Sequence, residues 1–254
     1  IYIRPYSELV VTGKLDVVGE VHNRGSLVVD GGTMKMSVWA TPKLLGYTTG
    51  DRMTVTNNGT MTVSGASAVT FGEASASQLH MAVVAQYADG MFATISNGGK
   101  FEADTLAFVN AEDVTLTVTG EDSLFKLYSA DGRTEPGNYT YVQNEGRIVI
   151  ENNAVFDVSG LVNTNFVNTG SIDISSASAG FATVTNNNAF NVTGNAVLDA
   201  DFAAASTGTL TISNATLEAG TAVNRIEDQS QVQNFYTNIV LKDMVTLTGG
   251  AYLN

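Results

Sequence analysis

The chain has 254 residues, of which 44% are hydrophobic and only 15% are charged, and its formal net charge is −13. The hydrophobic share excludes a disordered tail, and the 12 scattered Lys and Arg residues exclude the clustered basic face of a nucleic-acid binder. The absence of cysteine excludes disulfides and thiolate metal sites, and the absence of a long apolar run argues against membrane insertion.

A two-strand repeat runs along most of the chain. Its first strand reads N-x-G-x-Φ-x-Φ, where Φ is apolar, and its second strand reads small-x-Φ-x-Φ. Clear copies are NRGSLVV with GTMKM, NNGTMTV with SAVTF, NEGRIVI with NAVFDV, NNNAFNV with NAVLDA, and STGTLTI with NATLEA. Weaker copies are ELVVTGKLDV, NGGKFEADTLAF, DVTLTVTGEDSLFKL, NTGSIDI and NIVLKDMVTL. Because apolar and polar residues alternate with period two, each segment is predicted to be a strand with one inward face.

The alternation also predicts which side chains point inward. They are Leu27, Val29, Met34, Met36, Met61, Val63, Val69, Phe71, Ile148, Ile150, Phe156, Val158, Phe190, Val192, Leu198, Leu210, Ile212 and Leu217. At the corners stand Asn23, Asn57, Asn144 and Asn168, each followed two residues later by Gly. Gly and Asn tolerate positive φ, and Asn side chains hydrogen-bond one another in a stack, so these residues are predicted to form stacked corners.

The spacing of the repeat predicts a solenoid. The first apolar positions of successive units lie 18 residues apart from Leu9 to Leu27 and 20 apart from Phe190 to Leu210. Hairpins are the alternative, but they need a tight turn at every reversal, whereas here a short corner alternates with a longer link. We therefore predict a single all-β domain over residues 1–254, a parallel β-helix of about nine or ten irregular rungs.

The paired pattern resembles the passenger domains of autotransporters and of filamentous-haemagglutinin-like adhesins. The resemblance covers most of the chain and implies a right-handed parallel β-helix that is secreted to a bacterial-type cell surface. The usual C-terminal translocator barrel is absent from the sequence, and the resemblance transfers no functional residue.

Three interruptions make residues 1–142 less regular than residues 143–254. They are predicted as inserted loops at 39–52, 78–92 and 128–141, and HMAVVAQYA in the second is predicted as a short helix. Their aromatic and charged residues form a candidate binding surface for a glycan or for a host or neighbouring cell. These residues are Trp39, Tyr47, Tyr87, Tyr128, Arg133, Glu135, Tyr139 and Tyr141. The alternative is that the loops only cover the side of the solenoid.

Catalytic chemistry has weak support in the sequence. Parallel β-helices also include polysaccharide lyases and hydrolases, which need clustered carboxylates. The neighbours Glu112 and Asp113, and likewise Glu121 and Asp122, would point to opposite faces of a strand and therefore suit solvated corners. No catalytic residue is predicted, and a polysaccharide-binding or polysaccharide-degrading enzyme is kept as the alternative.

Metal binding has no clear sequence motif. His22 and His80 lie 58 residues apart, which gives no zinc-ligand spacing. Calcium is the more plausible ion because corner Asp and Asn residues supply oxygen ligands, but no calcium-loop motif is present. The prediction is therefore no metal and no cofactor.

Both ends of the sequence consist of strand-like segments without an amphipathic capping helix. Open solenoid edges favour either a piece of a longer β-helix or a homopolymer joined through the solenoid ends. The sequence thus predicts a non-catalytic, extracellular structural or adhesive protein that self-assembles into a fibre or surface layer.

Overall fold

A computed structural model describes residues 1–18, 21–37, 53–57, 60–65, 68–71, 81–85, 93–128, 141–161, 165–203, 206–218 and 238–248. All regular secondary structure in these ranges is β-strand. None of the described residues forms a helix long and apolar enough to cross a membrane.

Most of the described strands have two to six residues, and four have 9 to 11 residues. The first twelve are β1 (Tyr2–Ile3), β2 (Glu8–Val11), β3 (Lys14–Val18), β4 (Val21–Asn23), β5 (Ser26–Asp30), β6 (Thr33–Ser37), β7 (Met53–Asn57), β8 (Thr60–Ser64), β9 (Ala68–Phe71), β10 (Met81–Ala85), β11 (Ala93–Ser96) and β12 (Lys100–Asn110). The others are β13 (Thr115–Thr119), β14 (Leu124–Tyr128), β15 (Tyr141–Asn144), β16 (Arg147–Glu151), β17 (Val155–Gly160), β18 (Asn165–Asn168), β19 (Ser171–Ser175), β20 (Ser178–Asn186), β21 (Ala189–Thr193), β22 (Val197–Phe202), β23 (Thr209–Glu218) and β24 (Asn238–Thr248).

The strand pairing is that of a parallel β-helix. Every pairing between described strands is parallel. In the first rungs each strand pairs with the third strand after it, as β1 does with β4, β2 with β5 and β3 with β6. Hairpins would instead pair consecutive strands antiparallel, so the solenoid prediction is confirmed.

Each turn of the coil contributes to three sides. The first side begins with β1 and β4, the second with β2 and β5, and the third with β3 and β6. Ten described strands stack on the second side, namely β2, β5, β8, β11, β13, β16, β19, β21, β23 and β24. This number agrees with the predicted nine or ten rungs.

The core lies inside the coil, where like positions form columns. One column runs from Leu9 and Leu27 through Ile148 and Ile172 to Phe190 and Leu210. The predicted inward residues with described side chains are all buried, and Leu217, at 6% exposed, is the least buried. The side chains of Met36, Val63, Val69 and Phe71 lie outside the described part of the structure.

Aromatic rings reinforce the core on the third side. Phe101, Phe125 and Phe156 occupy successive rungs in register. Their ring centroids are 5.0 and 5.1 Å apart, and the rings are nearly parallel, at 5° and 7°. Stacking therefore adds to the burial of apolar area at this position.

A ladder of buried asparagines, the Asn ladder, links four rungs. Its members are Asn110, Asn144, Asn168 and Asn186, all fully buried. Each Nδ2 donates to the Oδ1 of the next member, at 2.7, 2.8 and 2.7 Å in chain order. The predicted stacking is thus confirmed for Asn144 and Asn168.

The prediction of positive φ is wrong for the described Asn and Gly residues of the Asn-x-Gly pattern, such as Asn144 and Gly146, none of which has it. Positive φ occurs at other corners, for example at Asn152 (58°) and Asn153 (65°). A Cβ on Gly146 would lie 2.3 Å from two backbone carbonyl oxygens, and one on Gly170 would lie 1.9 Å from the Gly146 carbonyl oxygen. Gly is required at these two positions because successive rungs approach too closely for any side chain.

The predicted helix within 78–92 is also wrong. Met81–Ala85 form β10, which pairs in parallel with β7 on one side and β12 on the other. Ladder hydrogen bonds on both sides outweigh the helix propensity of this short apolar run. The remaining residues of that predicted loop, the whole of 39–52, and 129–140 of the third loop lie outside the described residues.

Candidate interaction surfaces

Most of the predicted binding residues lie outside the described part of the chain. These are Trp39, Tyr47, Tyr87, Arg133, Glu135 and Tyr139. Tyr141 begins β15, but its side chain lies outside the described part of the structure. Tyr128 ends β14. Whether the eight residues form one surface therefore stays a prediction.

Tyr128 lies half-buried on the third side, beside an irregularity in the next rung. The register shifts between Lys126 and Tyr128, so that Tyr128 pairs with Gly160. A Cβ on Gly160 would lie 2.9 Å from the Tyr128 Cβ. The Gly160 backbone therefore leaves room for the tyrosine side chain, as bulged strands do when they redirect a neighbouring residue.

Two of the described ion pairs on the outer surface connect neighbouring rungs. Lys126 Nζ lies 3.7 Å from Asp157 Oδ2 on the third side. On the second side, Arg147 Nε and Nη2 donate to Asp173 Oδ2 at 3.1 and 3.0 Å. Asn191 Nδ2 from the following rung donates to Asp173 Oδ1 at 2.8 Å. These carboxylates hold rungs together, each exposed pair contributing at most about 1 kcal/mol.

The neighbouring acids lie at corners, as predicted. Glu112 and Asp113 are exposed in the turn before β13, and Glu121 and Asp122 are exposed in the turn before β14. Asp113 and Asp122 both have φ of 64°, a turn conformation that Asp tolerates. Within the described ranges, no three His, Asp or Glu residues are placed to hold a metal ion.

The first rung, formed by β1, β2 and β3, has strand edges with exposed apolar side chains. Among the described strands, each of the three pairs only with the strand of the second rung. The exposed large hydrophobic residues in the described part of the chain are Ile1, Tyr2, Tyr6, Val10 and Val155. All but Val155 belong to the first rung, which therefore carries most of the exposed large hydrophobic side chains among the described residues.

Tyr6 stands at a turn that sequence reasoning missed. Ser7 N donates to Arg4 O at 3.1 Å, Pro5 occupies the second position, and Tyr6 occupies the third with φ of 62°. This is the type II pattern, which normally has Gly or Asn at its third position. Tyr6 is fully exposed. Pro5 was the signal for the turn.

A matching turn occurs at residues 111–114. There Val114 N donates to Ala111 O at 3.2 Å, and Asp113 holds the left-handed position. At this corner Asp113 tolerates the positive φ, whereas Tyr6 at the same corner of the first rung does not, so its backbone is strained.

No protein-family model, curated protein or solved structure matches the chain. The resemblance to autotransporter and filamentous-haemagglutinin-like passenger domains therefore stays a prediction.

Proposed function

We propose that this chain is a non-catalytic structural or adhesive element of an extracellular surface. Its rungs continue in a fibre or layer of further copies, or in a longer β-helix. The observation that carries the proposal is the first rung, where strand edges without a partner among the described strands coincide with exposed Tyr2, Tyr6 and Val10.

Backbone chemistry is the first support. A strand edge presents N–H and C=O groups that a further strand can satisfy, and such edges recruit strands from other chains. The ladder through Val10 and Val28 is parallel and regular. A second copy, or further rungs of a longer chain, would continue this ladder and cover Val10.

The use of polar groups is the second support. The Asn ladder and the pair formed by Arg147 and Asp173 connect one rung to the next. The acidic neighbours Asp113 and Asp122 stand exposed in turns. This distribution suits a scaffold better than a polysaccharide lyase or hydrolase, which needs carboxylates aimed at one substrate.

Assembly through the first rung is tested with a lysine on its edge. Val10→Lys places a charge at the edge, a substitution that blocks strand addition in natural sheets. The expected result is that the unaltered chain forms regular filaments in electron micrographs, while Val10→Lys stays monomeric in sedimentation velocity at the same concentration.

Val155→Lys is the matched control. Val155 is 39% exposed and Val10 is 50% exposed, but Val155 lies in β17, which pairs on both sides. This variant should assemble like the unaltered chain. Isolated monomers of the unaltered chain at all concentrations would contradict assembly. Asp131 and Glu135 are acids of the predicted loop at 128–141. Glycan depolymerisation that is lost in Asp131→Ala or Glu135→Ala would instead favour the enzyme.

A further inference from the structure

The corner between β11 and β12 carries an exposed Asn-Gly pair. Gly99 N donates to Ser96 O at 2.9 Å and closes a four-residue turn. Its central residues, Asn97 and Gly98, have φ of 51° and 79°, as in a type I′ turn. Asn97 is exposed to water, while Gly99 is buried.

An Asn-Gly pair can react with itself. The backbone nitrogen of Gly98 attacks Cγ of Asn97, the bond from Cγ to the side-chain nitrogen breaks, and ammonia leaves with the proton from Gly98. Water then opens the cyclic imide at either carbonyl and yields aspartate or isoaspartate. The absence of a Cβ on Gly98 leaves this attack sterically open.

The attacking nitrogen, Gly98 N, is hydrogen-bonded to a side chain of the next rung. Gly98 N donates to Ser123 Oγ at 3.1 Å. Ser123 is fully buried, and its own backbone N donates to Gly120 O at 3.2 Å. Leu124 N, one residue further on, donates to Gly99 O at 2.9 Å. The hydroxyl is therefore fixed beneath the turn, and attack by Gly98 would break its hydrogen bond.

We propose that Asn97 is a site of spontaneous deamidation and that Ser123, from the following rung, restrains the reaction. Conversion adds one negative charge at an exposed corner. The isoaspartate product also lengthens the backbone by one carbon. The turn that contains it is held by the hydrogen bonds from Gly99 N to Ser96 O and from Leu124 N to Gly99 O. Modification would therefore loosen the contact between these two rungs.

The test measures deamidation of the intact folded chain. The chain and its Ser123→Ala variant are kept in mildly alkaline buffer, and the fraction converted at Asn97 is followed by peptide mapping with mass spectrometry. Loss of one hydrogen bond on the attacking nitrogen should raise the rate about threefold to tenfold. An unchanged rate would overturn the proposal.

Ser206→Ala is the matched control for general destabilisation. Ser206 is also fully buried, and its Oγ accepts a hydrogen bond from Asn186 N at 3.0 Å. This variant should leave the rate at Asn97 unchanged, and an equal rise in both variants would overturn the proposal. Asn58-Gly59 is the other Asn-Gly pair in the sequence and serves as an internal reference, because Ser123→Ala should not change the rate of deamidation at Asn58.

Two further measurements keep the test decisive if Ser123→Ala folds poorly. Ser123→Cys preserves the size of the side chain but is a weaker acceptor, so it should raise the rate in the same direction. In the unaltered chain, amide exchange at Gly98 should be slow. Rapid exchange at Gly98, or an unchanged rate in Ser123→Cys, would overturn the proposal.

Discussion

At the scale of single residues, each part of the Asn-x-Gly pattern has its own physical role. The Asn side chain joins the Asn ladder, as Asn144 does through Asn168. The Gly two residues later removes a side chain from a place where two backbones meet, as at Gly170. The pattern therefore records contacts between rungs and not the conformation of one corner.

Gly170→Ala should strongly destabilise the fold. The added Cβ would lie 1.9 Å from the Gly146 carbonyl oxygen, so the rungs must separate. We expect a loss of about 3 kcal/mol in the free energy of unfolding, measured by chemical denaturation. Gly13→Ala is the control because a Cβ there meets nothing within 4 Å. Equal effects of the two substitutions would refute the close-approach explanation.

The Asn ladder has an unfilled acceptor at its first member. Asn110 Oδ1 is buried and accepts no hydrogen bond. The residue in register with Asn110 in the preceding rung is Ala85, whose side chain has no donor. A buried acceptor without a partner destabilises a fold by about 1–3 kcal/mol.

Ala85→Asn should therefore stabilise the protein by extending the ladder one rung. The new Nδ2 would donate to Asn110 Oδ1, which is worth about 1 kcal/mol in the free energy of unfolding. Ala85→Leu is similar in size without a donor and should not give this gain. The prediction fails if thermal denaturation places the leucine variant at or above the asparagine variant.

At the scale of elements, the corner between the second and third sides repeats a left-handed conformation. Residues with positive φ recur at this corner in successive rungs, among them Gly120, Asn153, Asn195 and Asn214. Asn and Gly adopt this conformation most readily, which explains why the corners are rich in them. The strands on either side keep their inward faces only if this turn is maintained.

Asn153→Val should destabilise the corner between β16 and β17. A β-branched residue at φ of 65° costs about 1–2 kcal/mol, whereas Asn153→Gly should change stability by less than about 0.5 kcal/mol. Glu112→Val is the control, because Glu112 is exposed in a turn but does not itself have positive φ. Denaturation midpoints that fall equally for Asn153→Val and Glu112→Val would contradict a conformational cause.

At the scale of the whole molecule, the coil could be predicted because the interactions that form it repeat at regular intervals along the sequence. Inward columns follow from alternation, and rung number follows from the spacing of units such as those at Phe190 and Leu210. Met81–Ala85 was assigned wrongly because a short buried apolar run has no period that separates strand from helix.

Contacts between distant residues were harder to predict. Asn110 and Asn186 were not among the predicted stacked corners because neither is followed two residues later by Gly, although Asn186 begins the repeat copy NNNAFNV. Their place in the Asn ladder depends on which residues of neighbouring rungs lie in register, and this register cannot be predicted from one stretch of sequence. The proposed restraint of Asn97 by Ser123 also depends on register across rungs, because the two residues lie in adjacent rungs but are 26 residues apart in the chain.

The Asn ladder also has a direction. Every amide in it donates toward the higher-numbered rung, so the side-chain dipoles add along the axis and strengthen one another. The rungs also follow one another along the axis in chain order, which makes the two ends of the coil chemically different. Polarity of this kind leaves one way to extend the ladder, with the head of one unit on the tail of the next, and any filament of such units would have two distinguishable tips.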